Sequence, residues 1–167
     1  MIRHPVLEQL ASHGVKMGLD RVRSLLSHLG EPHLAYPTVH VAGTNGKGST
    51  CMMVTAALVE AGYRVGTNIS PHLEQVNERI CVNGVPVDDA TFSEFVEILD
   101  RHRMDWARSI AVDTAPLTYF EFITVMALLV FAARGVHVGV IETGLGGRLD
   151  ATNVVKPVVT AITTVGL

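Results

Sequence analysis

The chain has 167 residues, of which 48% are hydrophobic, so it is long enough for one domain with a sizeable core. It carries 13 Lys and Arg against 16 Asp and Glu, a formal charge of -3, and no basic run with interleaved aromatics, which excludes nucleic acid as an expected partner. The longest apolar run, Phe122 to Ala133, is broken by Thr124 and falls short of the roughly 20 residues a membrane span requires.

The start, MIRHPVLEQL, lacks the pattern of a secretory signal, so the sequence predicts no membrane association and a cytoplasmic location. Cys51 and Cys81 form neither a C-x-x-C nor a Cys-His cluster, and the 8 histidines show no H-E-x-x-H spacing. Neither a zinc site nor a disulfide framework is expected.

In chain order, Leu19, Val22, Leu25, Leu26 and Leu29 recur at helical spacing and stop at Gly30, which predicts an amphipathic helix. Pro32 and Pro37 bracket a loop. Thr38 to Ala42 predicts a short strand, a glycine-rich loop follows, and Ser49 to Glu60 predicts a helix ended by Gly62. Tyr63 to Ile69 reads as the next strand, closing at Ser70-Pro71, and His72 to Asn77 as a polar loop. Arg79 to Val87 alternates around Asn83-Gly84, a hairpin signal.

Thr91-x-x-Glu94 has the form of a capping box opening a helix, with Phe92, Phe95, Val96 and Leu99 on one face. Thr118-x-x-Glu121 repeats that form before an apolar helix to Arg134. Val136 to Ile141 and Val158 to Val165 are β-branched runs, the pattern of central parallel strands covered on both faces. The alternation predicts an α/β fold: a doubly wound, mostly parallel sheet with a small β-hairpin insertion, whose ligands gather at the carboxyl ends of the strands.

The loop between the first strand and its helix reads HVAGTNGKGST at 40–50. It departs from the ordinary phosphate loop, G-x-x-x-x-G-K-[ST], because two residues separate Gly43 from Gly46 and Gly48 follows Lys47. Its parts are still those of a phosphate cradle: glycines that let backbone amides approach, a helix start with its positive dipole end, and a lysine as point charge. The competing reading is a tight turn that needs glycine alone. Because Gly48 stands where a magnesium-binding hydroxyl is usual, metal ligands are expected partly elsewhere, and Ser70 and Glu142 close other strands. A turn cap and a solvated strand end are their plainer readings.

GTNGKGS at 43–49, SPHL at 70–73, LTYFEF at 117–122 and ETGLGGRLDATNVV at 142–155 resemble the folylpolyglutamate synthase and dihydrofolate synthase family of the Mur ligase superfamily. Mur peptide ligases share GTNGK but usually follow the lysine with threonine, so GLGGRLDATN favours the folate branch. The resemblance implies a Mur ligase-like ATPase domain in an ATP-dependent ligase joining L-glutamate to dihydropteroate or a folate through an acyl phosphate. It implies small-molecule partners only and monomeric full-length relatives.

Carried over by motif, Gly43, Thr44, Asn45, Gly46, Lys47, Gly48 and Ser49 would hold ATP. Ser70 and Glu142 would bind Mg2+, with Lys47 and Glu142 acting in phosphoryl transfer. Thr118, Tyr119, Phe120 and Glu121, with Leu149, Asp150 and Ala151, would line the pterin site. Each of these has a structural rival: a capping box for Thr118 and Glu121, core packing for Tyr119 and Phe120, a loop cap for Asp150. His72 and Arg79 fall near the presumed site and are assigned no role.

Residues 1–167 are expected to form the N-terminal ATP-binding domain, cut after Leu167, without the family's C-terminal domain and a metal-binding histidine beyond that point. Two other classes stand beside this reading. A GTPase-like switch would use the same loop, but no N-K-x-D stretch is found. A noncatalytic ATP- or pterin-binding remnant of a ligase, or another Mur-type ligase, fits the same residues.

Overall fold

The computed structural model describes residues 4–110 and 116–166; Leu167 lies outside them. The elements are α1 (Pro5–Ala11), α2 (Asp20–His28), β1 (Thr38–Ala42), α3 (Lys47–Glu60), β2 (Val65–Asn68), β3 (Ile80–Val82), β4 (Val85–Pro86), α4 (Asp89–Ser109), α5 (Tyr119–Ala133), β5 (Val138–Glu142) and β6 (Pro157–Ile162). The strands form one sheet in the order β4-β3-β2-β5-β1-β6. Neighbours among β2, β5, β1 and β6 run parallel, while β3 and β4 form an antiparallel hairpin that extends one edge.

Adjacent residues of a strand point to opposite faces, and the core divides accordingly. Val41, Val65 and Val140 pack with Cys51 of α3 on one face. Ile141 joins the larger cluster on the other, built mainly from α2, α4 and α5. Helix α5 is buried from Glu121 to Leu128 and again at Val130 and Phe131, as its all-round apolar sequence requires. Helices on both faces make the sheet doubly wound.

Thr118 caps α5 as expected: its hydroxyl accepts from Glu121 N–H, and the Glu121 carboxylate accepts from Thr118 N–H. Helix α4 differs from the expectation. Its cap is Asp88, which accepts both the N–H and the hydroxyl of Thr91, so Thr91 lies inside the first turn. A carboxylate accepts two bonds at once and also favours the positive end of the helix dipole.

The strand expected at 158–165 is also corrected. Strand β6 ends at Ile162 and pairs with β1 alone, at a sheet edge, leaving Val158, Val159 and Ile162 exposed among the described residues. Two strands start later than expected, because Arg64 O receives the His137 and Val138 amides ahead of the β2–β5 ladder. Residues 76–79 form a 3-10 turn that takes in the end of the loop predicted at 72–77 and Arg79, predicted as the start of the hairpin. No helix among the described residues is long and apolar enough to cross a membrane.

Candidate functional site

The register places the carboxyl ends of the parallel strands side by side. Val41 lies opposite Glu142 and Ala42 opposite Ile162, while Asn68 lies opposite Ile141. The phosphate loop therefore leaves β1 beside the ends of β5 and β6, where an open α/β sheet gathers its ligands.

In the loop, Gly43 (φ 135°) and Gly46 (φ 81°) adopt backbone angles that favour glycine, and Gly46 caps α3. A Cβ on Gly43 would collide with the Thr163 hydroxyl. Thr44 N–H donates to Thr164 O and the Thr44 hydroxyl accepts from Gly166 N–H, so the chain beyond β6 backs the loop. Thr44, Asn45, Gly46 and Ser49 remain exposed. The Lys47 ammonium folds over the loop, 2.9 Å from Gly43 O and 3.2 Å from Thr44 O. Its charge is thus held at the loop rather than in bulk water.

Ser70 and Glu142 come together. The Ser70 amide donates to Glu142 Oε2 at 2.8 Å, and Glu142 is buried, at 4% exposure. Burial holds its carboxyl above the ordinary range, opposed by the Ser70 amide and the Lys47 charge. A Cβ on Gly48 would lie 3.7 Å and 3.9 Å from the two Glu142 oxygens. The position that carries a hydroxyl in an ordinary phosphate loop is occupied here by the space next to a carboxylate.

No group of three or more His, Cys, Asp or Glu suited to a metal occurs among the described residues. One carboxylate and one hydroxyl are nevertheless hard oxygen donors, a set that suits a divalent cation which takes its other ligands from phosphate and water.

A cleft of about 380 Å³ opens beside this pair, lined by Lys47, Ser70, Phe120, Leu145 and Leu149 among others. A second, of about 490 Å³, lies over the phosphate loop and shares Lys47, Gly144 and Leu145 with the first. Phe120 packs so closely on Gly144 that any Cβ there would strike its ring. Of the other expected pterin residues, Thr118, Glu121, Asp150 and Ala151 are buried at the cleft wall, Leu149 is exposed, and Tyr119 packs against the core.

The polar members of this wall have structural partners. Glu121, 2% exposed, accepts the Thr118 amide and is bridged at 2.7 Å by Arg21. Asp150 accepts the Leu145 and Thr152 amides and the Thr152 hydroxyl. Their capping roles are realised, and they fix the wall.

Sequence reading missed two contributors and left a third, Arg79, near the site without a role. Arg21 compensates Glu121, residues 14–17 form a lip of the first cleft with Val15 and Met17 exposed, and Arg79 lines it. Apolar side chains between Gly14 and Gly18, outside any helical period, were the available signal for the lip. The Arg21 pairing had none, because it depends on packing α2 beside α5.

Sheet order, phosphate loop and adjoining clefts define a domain with the Mur ligase-like fold. No family model matches the chain. It is 44% identical over 154 residues to the dihydrofolate synthase/folylpolyglutamate synthase of Bacillus subtilis, covering 92% of this chain and 35% of that protein. Among solved structures, FolC of Escherichia coli in complex with DHPP and ADP superposes with TM-score 0.85 at 38% identity, over 96% of this chain and 37% of that one.

A bifunctional folylpolyglutamate synthase/dihydrofolate synthase with Mn, AMPPNP and L-glutamate bound gives the same TM-score, 0.85, and identity, 38%, over the same shares, 96% and 37%. The chain is a homologue of the N-terminal portion of the folylpolyglutamate synthase and dihydrofolate synthase family. It spans little more than a third of the length of these relatives, 35% of the Bacillus subtilis protein and 37% of each of the two solved ones.

Proposed function

We propose that the chain is the ATP- and pteroate-binding part of a ligase that joins L-glutamate to dihydropteroate or a folate. The observation that carries this reading is the pair of adjoining clefts, one over the phosphate loop and one with an apolar wall, that share Lys47. A nucleotide in the cleft over the phosphate loop and a flat aromatic acid in the apolar cleft would bring a γ-phosphate and a carboxylate together. The ligands of the two solved relatives, DHPP with ADP in one and L-glutamate with AMPPNP and Mn in the other, support it.

A carboxylate resists attack by an amine because it is anionic. In the proposed reaction one of its oxygens attacks the γ-phosphorus and ADP departs; the glutamate amine then attacks the acyl phosphate and inorganic phosphate departs. Gly43 to Ser49 would surround the phosphates with amides, and Lys47 would offset charge on the transferring group. Ser70 and Glu142 would hold Mg2+, which supplies further charge neutralisation when bound. Phe120 and Leu149, with Thr118, Tyr119, Glu121, Asp150 and Ala151 around them, would seat the pterin. No side chain is required as a nucleophile.

Calorimetric titration of the 167-residue chain with ATP and magnesium, then with dihydropteroate, tests the reading. Binding of both, with nucleotide affinity reduced in Lys47→Ala, is the expected result. Equal affinity in the variant would remove Lys47 from the site. Incubation with L-glutamate, followed by mass spectrometry for the glutamylated product, separates catalysis from binding; we expect ligand binding without turnover.

A further inference from the structure

Arg79 is tied down through both its backbone and its side chain. Its carbonyl accepts from Ile69 N–H at 3.2 Å and from the Asn68 side-chain amide at 2.9 Å, which ties its backbone to the end of β2 beside Ser70. Its Nε–H donates to His72 Nδ1 at 2.8 Å, and its planar group lies 5.6 Å from the Tyr119 ring centroid. A donor on Nδ1 makes His72 the neutral, Nε2–H tautomer, so two cations do not face each other. Arginine placed this way has lost most of its rotamer freedom before any ligand arrives.

What it lacks is an anion. None of the ion pairs among the described residues involves Arg79, and its terminal nitrogens have no hydrogen-bond partner among them. The side chain is half-buried at the wall of the first cleft, which Ser70 and Lys47 also line. A partly desolvated, uncompensated fork of parallel donors matches one class of ligand best: a planar carboxylate or an equivalent oxyanion. Lys47 does not compete for this role, because its ammonium is held on Gly43 O and Thr44 O.

We infer that Arg79, oriented by His72 and Tyr119, is the residue that binds the carboxylate of the acid substrate and aims it toward the phosphate loop. This rests on the ligase reading and adds to it the group that selects an acid over its neutral analogue. Arg79 takes no part in bond making; it fixes where the carboxylate sits.

The test compares pteroate with its carboxamide, which keeps the ring system and loses the charge, by calorimetry on the wild-type chain and on Arg79→Gln and Arg79→Lys. Thermal melts confirm folding of each variant. Wild type should prefer pteroate, and Arg79→Gln should weaken pteroate by about tenfold to a hundredfold while leaving the amide unchanged. Arg79→Lys, which keeps the charge without the fork, should fall between them. His72→Ala should weaken pteroate alone, by a smaller factor. If Arg79→Gln weakens acid and amide equally, or neither, Arg79 only packs the cleft and the inference falls while the ligase reading stands. If wild type binds ATP but neither pteroate nor amide, both fall together.

Discussion

The backbone amide of Ser70 donates a 2.8 Å hydrogen bond to Glu142, joining the ends of two neighbouring parallel strands, β2 and β5, beside the phosphate loop. Glu142→Gln keeps the shape and an acceptor for that amide while removing the charge. Magnesium affinity of the nucleotide complex should drop at least by the roughly tenfold typical of changes around a metal site, with metal-free nucleotide binding little altered. A magnesium titration with no change would leave Glu142 as a buried strand end.

Arg21 is the compensating charge for Glu121, which is buried in the cleft wall. Arg21→Met should cost about 3 kcal/mol, since it leaves a buried carboxylate without its cation. The double variant Arg21→Met with Glu121→Gln should recover part of that loss, because no charge is then stranded. Denaturant melts of the four proteins in the cycle measure the coupling, and additive costs would mean that the pair does not interact.

His40 lies one residue before the Val41–Glu142 pairing, with Nε2 2.9 Å from the Thr152 hydroxyl and 3.1 Å from that of Thr143. Thr152 donates its proton to Asp150, so it accepts from His40, whose Nε2 carries a proton. Burial lowers the His40 pKa below 6.5, partly offset by Asp150. Its contribution to stability is complete above pH 6.5 and is lost as pH falls from there through the lower folded value. His40→Gln keeps a donor without that titration. Its deficit relative to wild type should shrink between pH 7.5 and 5.5; parallel stability curves would show that His40 does not titrate there.

Gly66 on β2 faces Phe131 of α5 so closely that a Cβ would lie 2.5 Å from the ring. Gly66→Ala should destabilise by about 1–3 kcal/mol through overpacking of a filled core. Gly147→Ala, where a Cβ meets nothing within 4 Å, should stay within about 0.5 kcal/mol. Equal melting behaviour of the two would contradict the packing at Phe131.

The sequence alone determined the elements that depend on neighbours along the chain. The strand at 38–42, the hairpin around Asn83-Gly84 and the capping box at Thr118 and Glu121 follow from periodicity, turn chemistry and hydrogen bonds spanning three residues. The phosphate loop was legible for the same reason, since its glycines, lysine and helix start lie in one short run. Even locally the signal was ambiguous where two acceptors competed: Asp88 took the cap of α4 that Thr91 was expected to form, because a carboxylate accepts two bonds. Tertiary structure decided everything that depends on strand order. β-branched runs predict strands, but only the sheet shows that β5 is central and β6 lies at an edge, because side-chain alternation is the same in both. The approach of Ser70 to Glu142, of Arg21 to Glu121 and of Arg79 to Tyr119 likewise required the packed chain, since hydrogen bonds and charges between distant residues leave no period in the sequence.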